Sequence, residues 1–361
     1  MKSLDVYSSF KAAKYPEKIE QIRKDELPAP TQVQVDLTNV CNLNCSFCFY
    51  RQTWNGGMLI DEWNNKLFIP TKNVIEMLDD MQEMGIKGLH VTGGGSPECH
   101  PDFDYIIDEG LKREFEMAIA TNGTLLNEKR LEKLVKFKWI RFSVDTSNAE
   151  TFKIIKGAGT GTFDKVINNI KRLVVLRKEY KDVLTPEDCI IGFSVIVCNE
   201  NWKEIFECAK LAKELGCQNI RYSLAHTPQG DKIFEGDWIK IEELLENAKK
   251  LEDDTFKVFS FKNRINELRG DYGPQMCNYH HFVAAVSPTG VYPCCFFKDK
   301  SRYNFGRLQD QRFIDIWYGE KRKEFIKRIN KFGCTGWCWM RDKNNFINYL
   351  LEEDVPHKCF I

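Results

Sequence analysis

Residues 33 to 253 switch repeatedly between short strand-like runs and longer helix-like runs, and this alternation limits the fold more than any other feature. The helix-like runs have apolar residues at helical spacing, as in KNVIEMLDDMQEM at 72–84, with Gly85 placed to end that helix. The strand-like runs are VQVDLT at 33–38, GLHVTGGG at 88–95, EMAIATNG at 116–123, WIRFSVD at 139–145, CIIGFSVIV at 189–197 and CQNIRYSLA at 217–225. Such alternation predicts an α/β fold with a parallel sheet covered by helices. Six units favour a partial (β/α)6 TIM-like barrel, with ligands at the carboxyl ends of the strands.

The pattern changes after residue 255, because six of the fourteen cysteines lie between 277 and 361. We therefore expect an N-terminal extension at 1–32, the barrel at 33–255 and a small cysteine-rich C-terminal domain at 256–361. Within this last part, FVAAVSPTGVYPCC at 282–295 predicts a β-hairpin with a Pro-Thr-Gly turn. The run QRFIDIWYGEKRKEFIKRIN at 311–330 predicts a single helix.

The charge balance and the N-terminus exclude several classes of protein. The 361 residues include 52 Lys and Arg and 52 Asp and Glu, so the formal net charge is zero. The excess of basic residues that is typical of nucleic-acid-binding proteins is missing. No apolar run reaches the roughly 18 residues of a membrane span, and the charged N-terminus has no signal-peptide core. We therefore expect a cytoplasmic protein, in which fourteen cysteines indicate metal or redox chemistry more than disulfides.

The stretch CNLNCSFCFY at 41–50 places Cys41, Cys45 and Cys48 directly after the first predicted strand. Three buried structural thiols are one interpretation, since free cysteine is commonly buried. Structural zinc is another, but it needs four ligands, and the nearest candidates, Cys99 and His90, belong to the second βα unit. An iron–sulfur cluster fits the spacing best, because three thiolates leave one iron of a 4Fe–4S cluster open to an outside molecule.

This C-x3-C-x2-C motif, with Phe47 before its last cysteine, resembles the signature of the radical S-adenosylmethionine (SAM) superfamily. The resemblance implies that Cys41, Cys45 and Cys48 hold a 4Fe–4S cluster that binds SAM, and it assigns Phe47 to the cofactor site. It also implies a reductase such as flavodoxin or ferredoxin, whose electron splits SAM into methionine and a 5′-deoxyadenosyl radical. That radical abstracts a hydrogen atom from the substrate. The fold of the family is a six-unit partial barrel.

Glycines after the second predicted strand, in TGGGSPECHPDF at 92–103, resemble the family segment that holds the methionine amino group of SAM. The resemblance assigns this contact to Gly93, Gly94, Gly95 and Ser96. Relatives have glutamate where this chain has Ser96, and Glu98 lies two residues on as a substitute. An ordinary turn is the alternative interpretation of the glycines.

Three further segments resemble family positions after the third, fourth and fifth strands. ATNGTLL assigns Thr121 and Asn122 to cofactor binding. RFSVDTSNAETF assigns Ser143 and Asp145 to the region of the SAM carboxylate, the ribose or the substrate, with a turn or N-cap role as the alternative. GFSVIV assigns Val195 to the adenine contact, with strand core as the alternative.

A second group of cysteines follows, where SPTGVYPCC resembles the turn-and-cysteine element of SPASM and twitch domains. The resemblance assigns an auxiliary, fully ligated 4Fe–4S cluster to Cys277, Cys294, Cys334 and Cys338, with Cys295 and Cys359 as alternates. Because only six cysteines are present, we expect the shorter twitch form with one cluster. A zinc site is the alternative for four thiols.

Twitch-domain relatives include enzymes that oxidise or epimerise aminocyclitols and aminoglycosides. We therefore expect oxidation or epimerisation of a small polar substrate such as a sugar or cyclitol derivative. Cys295 is a candidate hydrogen-atom donor, with a buried hairpin thiol as the alternative. Only 40 residues precede Cys41, too few for the peptide-recognition domain of many peptide-modifying relatives, yet a peptide maturase remains an alternative. A non-catalytic iron–sulfur or zinc-binding protein is the other alternative.

Two more regions lie near the predicted barrel mouth. The loop at 50–70, which includes Trp54, Asn55 and Trp63, is either a substrate lid or a surface loop. Three residues at the end of the sixth strand are expected to face the mouth, without assigned roles: Arg221, Tyr222 and His226.

Overall fold

The structure is a computed structural model and describes residues 7–50, 62–225, 237–261, 275–334, 338 and 340–352. Its strands are β1 Gln32–Asp36, β2 Gly88–Thr92, β3 Glu116–Thr121, β4 Trp139–Ser143, β5 Ile190–Val197, β6 Asn219–Leu224, β7 Lys257–Phe259, β8 Val283–Ser287 and β9 Gly290–Tyr292. Its α-helices are α1 Pro16–Arg23, α2 Thr71–Glu83, α3 Phe103–Lys112, α4 Glu128–Leu134, α5 Ala149–Lys156, α6 Thr162–Glu179, α7 Ile205–Glu214, α8 Trp238–Lys249, α9 Phe313–Trp317, α10 Glu320–Phe332 and α11 Arg341–Leu351. Short 3-10 helices lie at Ser9–Lys14, Pro97–Cys99, Trp202–Glu204, Tyr279–His281 and Ser301–Tyr303.

These strands form one sheet in the order β7-β6-β5-β4-β3-β2-β1-β8-β9. From β1 to β7 each strand pairs in parallel with the next, which brings their carboxyl ends to one edge. Burial alternates along β1, β2 and β4, so that Val33, Leu89 and Phe142 pack toward the helices and their neighbours face the other side. We call this other side the inner face of the sheet. The expected α/β partial barrel is confirmed.

Helix ends follow ordinary capping chemistry. Gly85 comes directly after the last turn of α2 with φ +69°, the left-handed conformation that favours glycine. The side chains of Asn127 and Asn148 cap α4 and α5 by accepting hydrogen bonds from backbone N–H groups in the first turn. The sequence pattern did not predict α5, although its last residue, Lys156, proves important for the site.

The expected single helix at 311–330 is wrong, because α9 ends at Trp317 and α10 begins at Glu320. Gly319 between them has an extended ψ of 165°, which breaks the helical path. A Cβ at this position would lie 2.9 Å from the carbonyl oxygen of Asp315, so the sharp corner needs glycine.

The C-terminal region continues the barrel sheet. The predicted hairpin is present as antiparallel β8 and β9, with Val286 opposite Val291. β8 also pairs in parallel with β1, with Val33 opposite Ala284, which the sequence pattern did not predict. The predicted boundary at residue 256 falls before β7, and β7 is itself a strand of the same sheet.

A second, smaller apolar core joins the N-terminal segment to the C-terminal region. It consists of Ala12, Ile19, Tyr279, Phe282, Val283 and Ile347. The Phe10 and Phe346 rings meet edge to face at 4.9 Å, and Arg23 donates a hydrogen bond of 2.7 Å to the carbonyl oxygen of Leu350. Residues 7–23 are thus packed against α11. No helix in the described ranges is long and apolar enough to cross a membrane.

Candidate active site

The loop that carries Cys41, Cys45 and Cys48 is tied to the end of α5. Asn44 donates a backbone hydrogen bond of 2.9 Å to the carbonyl oxygen of Lys156, and Ser46 donates one of 2.8 Å to that of Ile155. A turn bond of 3.1 Å from Cys48 N to Cys45 O folds the loop on itself. All three thiols are half-buried, and none forms a disulfide.

These three thiols are in electrostatic contact. Burial raises the pKa of Cys45 to about 11, the nearby Lys156 opposes the rise, and Cys48 and Cys41 add to it. Bound iron would supply the positive charge that such thiols need in order to ionise. Among the described residues, no three His, Cys, Asp or Glu side chains are close enough to share a single metal ion. A four-iron cluster is larger than one ion, so its thiolates stand farther apart.

The glycine turn after β2 packs directly against the segment that leads into the cysteine loop. Gly95 and Ser96 donate backbone hydrogen bonds of 3.0 and 2.9 Å to the carbonyl oxygens of Thr38 and Val40. A Cβ at Gly93 or Gly95 would lie 2.1 or 2.0 Å from a backbone oxygen, so no larger residue fits. The two loops therefore need these glycines to pack, and the SAM contact of the turn stays a prediction.

Two buried polar side chains beside this turn have no hydrogen-bond partner within the described residues. They are Asn39, through both atoms of its amide, and Trp63, through its indole nitrogen. Both lie against Gly94, where a Cβ would be 2.4 Å from Asn39 Oδ1 and 3.0 Å from Trp63 Nε1. Buried polar groups are almost always satisfied, so these atoms indicate a polar ligand or ordered water. The amino-acid part of SAM has the polar groups that would satisfy them.

The predicted TNG segment is bonded to the cysteine loop through Asn42. The side-chain amide of Asn122 donates to Asn42 Oδ1 at 3.0 Å, and Asn42 Nδ2 donates to the Thr124 hydroxyl at 2.7 Å. The segment therefore lies beside the cysteines, where the sequence placed it. Its contact with a cofactor stays a prediction.

Glu98 joins two of the residues that were assigned to SAM. Its carboxylate is buried and accepts hydrogen bonds from the hydroxyls of Ser96, at 2.7 Å, and Thr121. Glu98 thus lies beside Ser96, and its role as a substitute for the glutamate of relatives stays a prediction. Glu98 fixes both hydroxyls, and its own contact with SAM stays a prediction.

Asp145 and Lys156 form a fully buried ion pair behind the cysteine loop. Lys156 also donates to the carbonyl oxygen of Ser143, at the end of β4, and the second oxygen of Asp145 accepts from Ile196 N at 2.6 Å. Burial opposes the charge of Lys156, yet its pKa is raised because Asp145 and Cys45 stabilise the ammonium. Asp145 therefore positions a cation beside the thiols, and the ligand contacts assigned to Asp145 and Ser143 stay predictions.

The orientation of β5 matters for the predicted adenine contact. Val195 shares the helix-facing side with Phe193 and is 1% exposed in the main core. Ser194 and Ile196 occupy the inner face, and Ile196 and Phe47 pack against the same small cluster of Ile155, Cys198 and Ala225. The placement of Val195 does not favour its assignment to adenine, and the cofactor contact assigned to Phe47 stays a prediction.

The four cysteines assigned to the auxiliary cluster come together through contacts between distant segments. A β-bridge joins Gln275 to Cys334 with N–H···O distances of 3.0 and 2.7 Å. The thiols of Cys277 and Cys334 are hydrogen-bonded, and Cys294 is in electrostatic contact with its neighbour Cys295 and with Cys338 and Cys334. Four half-buried thiols at one place fit a fully ligated cluster, and the individual ligands stay predictions.

Helix α11 holds the segment that carries Cys277. Asn344 Oδ1 accepts backbone hydrogen bonds from Asn278 at 2.7 Å and from Tyr279 at 3.1 Å. Its Nδ2 donates to the carbonyl oxygen of Met276 at 2.7 Å. One buried amide thus fixes the backbone on both sides of Cys277.

A buried lysine lies beside these four thiols. Lys300 is 4% exposed and has no carboxylate partner among the described residues. Burial lowers its pKa, while Cys294 and Cys334 act in the opposite direction. Its ammonium lies 4.1 Å from the ring centroid of Phe296. The thiolates of a bound cluster would supply the negative charge that this cation lacks.

Cys295 lies toward the barrel rather than within the group of four thiols. Burial raises its pKa, and the nearest charges that act on it are Lys298 and Asp36, which form a buried ion pair at the end of β1. Tyr50, from the cysteine loop, reaches the same place and stacks on Trp63 at 5.8 Å. Cys295 thus lies where the two domains meet, and its role as a hydrogen-atom donor stays a prediction.

Several expectations lie outside the described residues or need correction. The alternate ligand Cys359, the lid residues Trp54 and Asn55, and His226 are outside the described ranges. The expectation that Tyr222 faces the mouth is wrong, because its buried hydroxyl donates to the carbonyl oxygen of Ile205 on α7. Sequence reasoning did not single out Asn39, Asn42 or Lys156, although the first two flank Cys41.

Comparison with known proteins decides the family. Residues 35–212 match the family model of the Radical SAM superfamily, and residues 277–340 match SPASM, an iron–sulfur cluster-binding domain. The chain belongs to the radical SAM superfamily. The predicted SPASM/twitch subgroup is confirmed, and its cofactors are SAM, a 4Fe–4S cluster and auxiliary iron–sulfur clusters. The single-cluster twitch form stays a prediction.

Curated relatives of this radical SAM protein differ in what they act on. It is 27% identical over 340 residues to the tungsten-containing aldehyde ferredoxin oxidoreductase cofactor-modifying protein of Pyrococcus furiosus, covering 87% of this chain and 88% of the relative. It is 22% identical over 338 residues to the mycofactocin maturase MftC of Mycobacterium tuberculosis, covering 90% and 79%. Among solved structures, Streptococcus suis SuiB bound to S-adenosylmethionine aligns with a TM-score of 0.63 at 16% identity, covering 97% of this chain and 82% of SuiB. This likeness shows the shared fold.

Proposed function

We propose that this radical SAM enzyme binds SAM at a 4Fe–4S cluster on Cys41, Cys45 and Cys48 and removes a hydrogen atom from a small polar substrate. When bound, the cluster supplies the electron that splits SAM into methionine and a 5′-deoxyadenosyl radical. The observation that carries the proposal is the meeting of the cysteine loop with the glycine turn around the unsatisfied atoms of Asn39 and Trp63. These unsatisfied polar atoms need a polar ligand, and in this proposal SAM is that ligand.

The residues around the loop have distinct tasks in this proposal. Asn39 and Trp63 hold the polar amino-acid end of SAM, and Glu98 keeps the neighbouring hydroxyls oriented. Lys156 keeps a positive charge beside the thiols, where it stabilises their ionised form. The glycines of the turn let its backbone pack against the segment that leads into the cysteine loop.

The auxiliary cluster is assigned to Cys277, Cys294, Cys334 and Cys338, and it allows electron transfer at the end of the reaction. With an electron acceptor nearby, the product is an oxidised substrate. With a hydrogen-atom donor such as Cys295, the product is an epimer. A flavodoxin or ferredoxin completes the proposal as the source of electrons.

The proposed substrate is a small molecule such as a sugar or cyclitol derivative, since the inner face of the barrel has polar and charged side chains. Modification of a peptide is the second candidate. It is favoured by the similarity to a mycofactocin maturase over 90% of this chain. The cofactor-modifying relative from Pyrococcus furiosus supports a small-molecule substrate over a comparable length.

Anaerobic reconstitution followed by addition of SAM and dithionite tests the chemistry. The wild-type protein is expected to form 5′-deoxyadenosine and to bind about eight iron atoms per chain with little zinc. A variant with Cys41, Cys45 and Cys48 all changed to Ala is the control. Equal 5′-deoxyadenosine from both proteins would rule out the proposal.

Turnover in deuterated solvent with a panel of sugars, cyclitols and peptides separates the reactions. Solvent deuterium retained at carbon indicates epimerisation, because the substrate radical has then received a hydrogen atom from an exchangeable donor. A product that lacks two hydrogen atoms indicates oxidation. Turnover of peptides alone would contradict the small-molecule part of the proposal.

A further inference from the structure

The middle of the inner face is lined by small and polar side chains, and we call this region the hollow. Small residues Ala118 and Ala120 of β3 and Gly192 of β5 share this face, as the strand register shows. Ala118 lies between His90 of β2 and Trp139 of β4 in register, so these two rings meet across it at 4.6 Å. The side chain of Asn219 fills the space beside Gly192, where a Cβ would lie 2.8 Å from Asn219 Oδ1, so the small side chains beside Arg141 and His90 are those of Ala118 and Ala120.

Arg141 projects into this hollow. In register it lies between Ala120 and Gly192, and its guanidinium is 5.5 Å from the ring centroid of Trp139. No hydrogen bond or ion pair from Arg141 occurs within the described part of the chain. The arginine is half-buried, where an uncompensated charge is costly.

His90 beside it is neutral and unsatisfied. Burial lowers the pKa of His90 well below its usual value, and the charges of Arg141, Lys298, Arg221 and Lys343 add to this effect. Its Nε2 atom is buried and has no hydrogen-bond partner among the described residues. A neutral imidazole can present an N–H at this atom. The charges that lower the pKa of His90 are thus cations, and one of them, Lys298, is paired with the buried Asp36.

We propose that Arg141, His90 and Trp139 form an oxyanion-binding pocket that holds a carboxylate or phosphate group of the substrate. The guanidinium offers a fork of N–H donors to two oxygens, and the imidazole adds a third donor. The pocket lies below the level of the cysteine loop, so an anchored substrate extends upward toward SAM. The inference rests on the proposed function, since it concerns the substrate of that reaction.

Binding of inorganic phosphate and acetate to the reconstituted holoenzyme tests the pocket without needing the substrate. The thermal midpoint is followed against anion concentration at constant ionic strength, with chloride as the balancing anion, and gives an apparent Kd. The proteins compared are the wild type, Arg141→Gln, Arg141→Lys and Arg307→Gln. Arg307 is an exposed arginine with a weak ion pair of 4.0 Å to Asp310, so it is a matched control for loss of one charge.

Phosphate, acetate or both are expected to stabilise the wild type and Arg307→Gln. Arg141→Gln should bind the same anion roughly ten- to a hundredfold more weakly, because a charge-assisted hydrogen bond is lost. Stabilisation by phosphate alone identifies a phosphorylated substrate, and by acetate alone a carboxylate. Arg141→Lys should be intermediate, and it serves as the comparison if Arg141→Gln fails to fold. No effect beyond chloride in the wild type, or an equal effect in all proteins, overturns the inference.

Formation of 5′-deoxyadenosine in the same samples, without substrate, keeps the two proposals apart. Arg307→Gln should cleave SAM like the wild type, because Arg307 is exposed and belongs to neither proposed site. Cleavage without anion binding would refute the pocket alone. Anion binding without cleavage would refute the proposed function alone.

Discussion

Each group of cysteines has one buried lysine beside it, and the two lysines differ in their counter-charges. Lys156, 2% exposed, lies near Cys45 and forms an ion pair with Asp145. Lys300, 4% exposed, lies near Cys294 without a carboxylate partner among the described residues. The first site thus contains a neutral pair next to its thiols, whereas the second, as far as the described residues show, contains an unpaired positive charge.

This difference shows how one protein can give two iron–sulfur sites different electronic properties. Iron–sulfur potentials depend on net charge, hydrogen bonds to sulfur and solvent exposure. A positive charge stabilises the reduced, more negative form of a cluster. We therefore expect the auxiliary site to accept an electron more readily than the SAM-binding site.

The largest expected effect comes from removing one cysteine from either group. Cys45→Ala should abolish 5′-deoxyadenosine formation, because a SAM-binding cluster with two thiolates is not held. Cys334→Ala should retain it while losing about four of about eight irons. Iron analysis and product analysis by chromatography measure both effects. If Cys334→Ala also abolished SAM cleavage, the two sites would not be functionally separate.

Removing the two lysines should affect stability differently. Lys156→Met leaves Asp145 buried without its partner and should lower the free energy of unfolding by about 3–5 kcal/mol. Chemical denaturation of the holoenzyme measures this change. The double variant with Asp145→Asn should recover part of the loss. Lys300→Met should destabilise less, since it leaves no buried carboxylate, and an equal loss in both variants would contradict the comparison.

Lys300→Met should instead lower the reduction potential of the auxiliary cluster. The expected shift is on the order of tens of millivolts, for one charge near the cluster at an effective dielectric constant of about 20. Redox titration followed by electron paramagnetic resonance measures it. Lys240→Met, a change of an exposed lysine on α8, is the control. An unchanged potential in Lys300→Met would mean that Lys300 does not act on the cluster.

The smallest expected effect comes from changing Glu98, and it tests whether Glu98 contributes to SAM binding. Glu98→Gln keeps the shape but weakens the acceptor for the hydroxyls of Ser96 and Thr121. SAM binding should weaken roughly three- to tenfold, about 1 kcal/mol. Equilibrium dialysis with the reconstituted protein measures it, with the exposed Glu132→Gln as control. Unchanged binding would show that Glu98 only supports the loop.

The cysteine loop could be predicted from the sequence because its information is local. Cys41, Cys45 and Cys48 lie within eight positions, directly after a strand whose alternation is clear. The neighbouring βα units were equally readable, since helical and strand periodicities differ. Asn39 escaped notice because only its burial without a partner, a property of the folded chain, distinguishes it.

Features that depend on long-range pairing could not be predicted. The bridge between Gln275 and Cys334 joins segments that are far apart in the sequence, and neither segment contains a pattern that predicts its partner. The pairing of β8 with β1 is of the same kind. The orientation of Val195 depends on strand register, where one residue decides between the core and the inner face.

The ladder between β1 and β8 also has a mechanical consequence. It runs from Gln32 opposite Val283 to Val35 opposite Val286, in the interior of the sheet. Swinging the C-terminal region away from the barrel would break this ladder and expose buried backbone groups to water. The C-terminal region is therefore not hinged at the β1–β8 ladder. The hydrogen-bond register of this ladder fixes the position of β8, and of the cysteines that follow it, relative to the cysteine loop after β1.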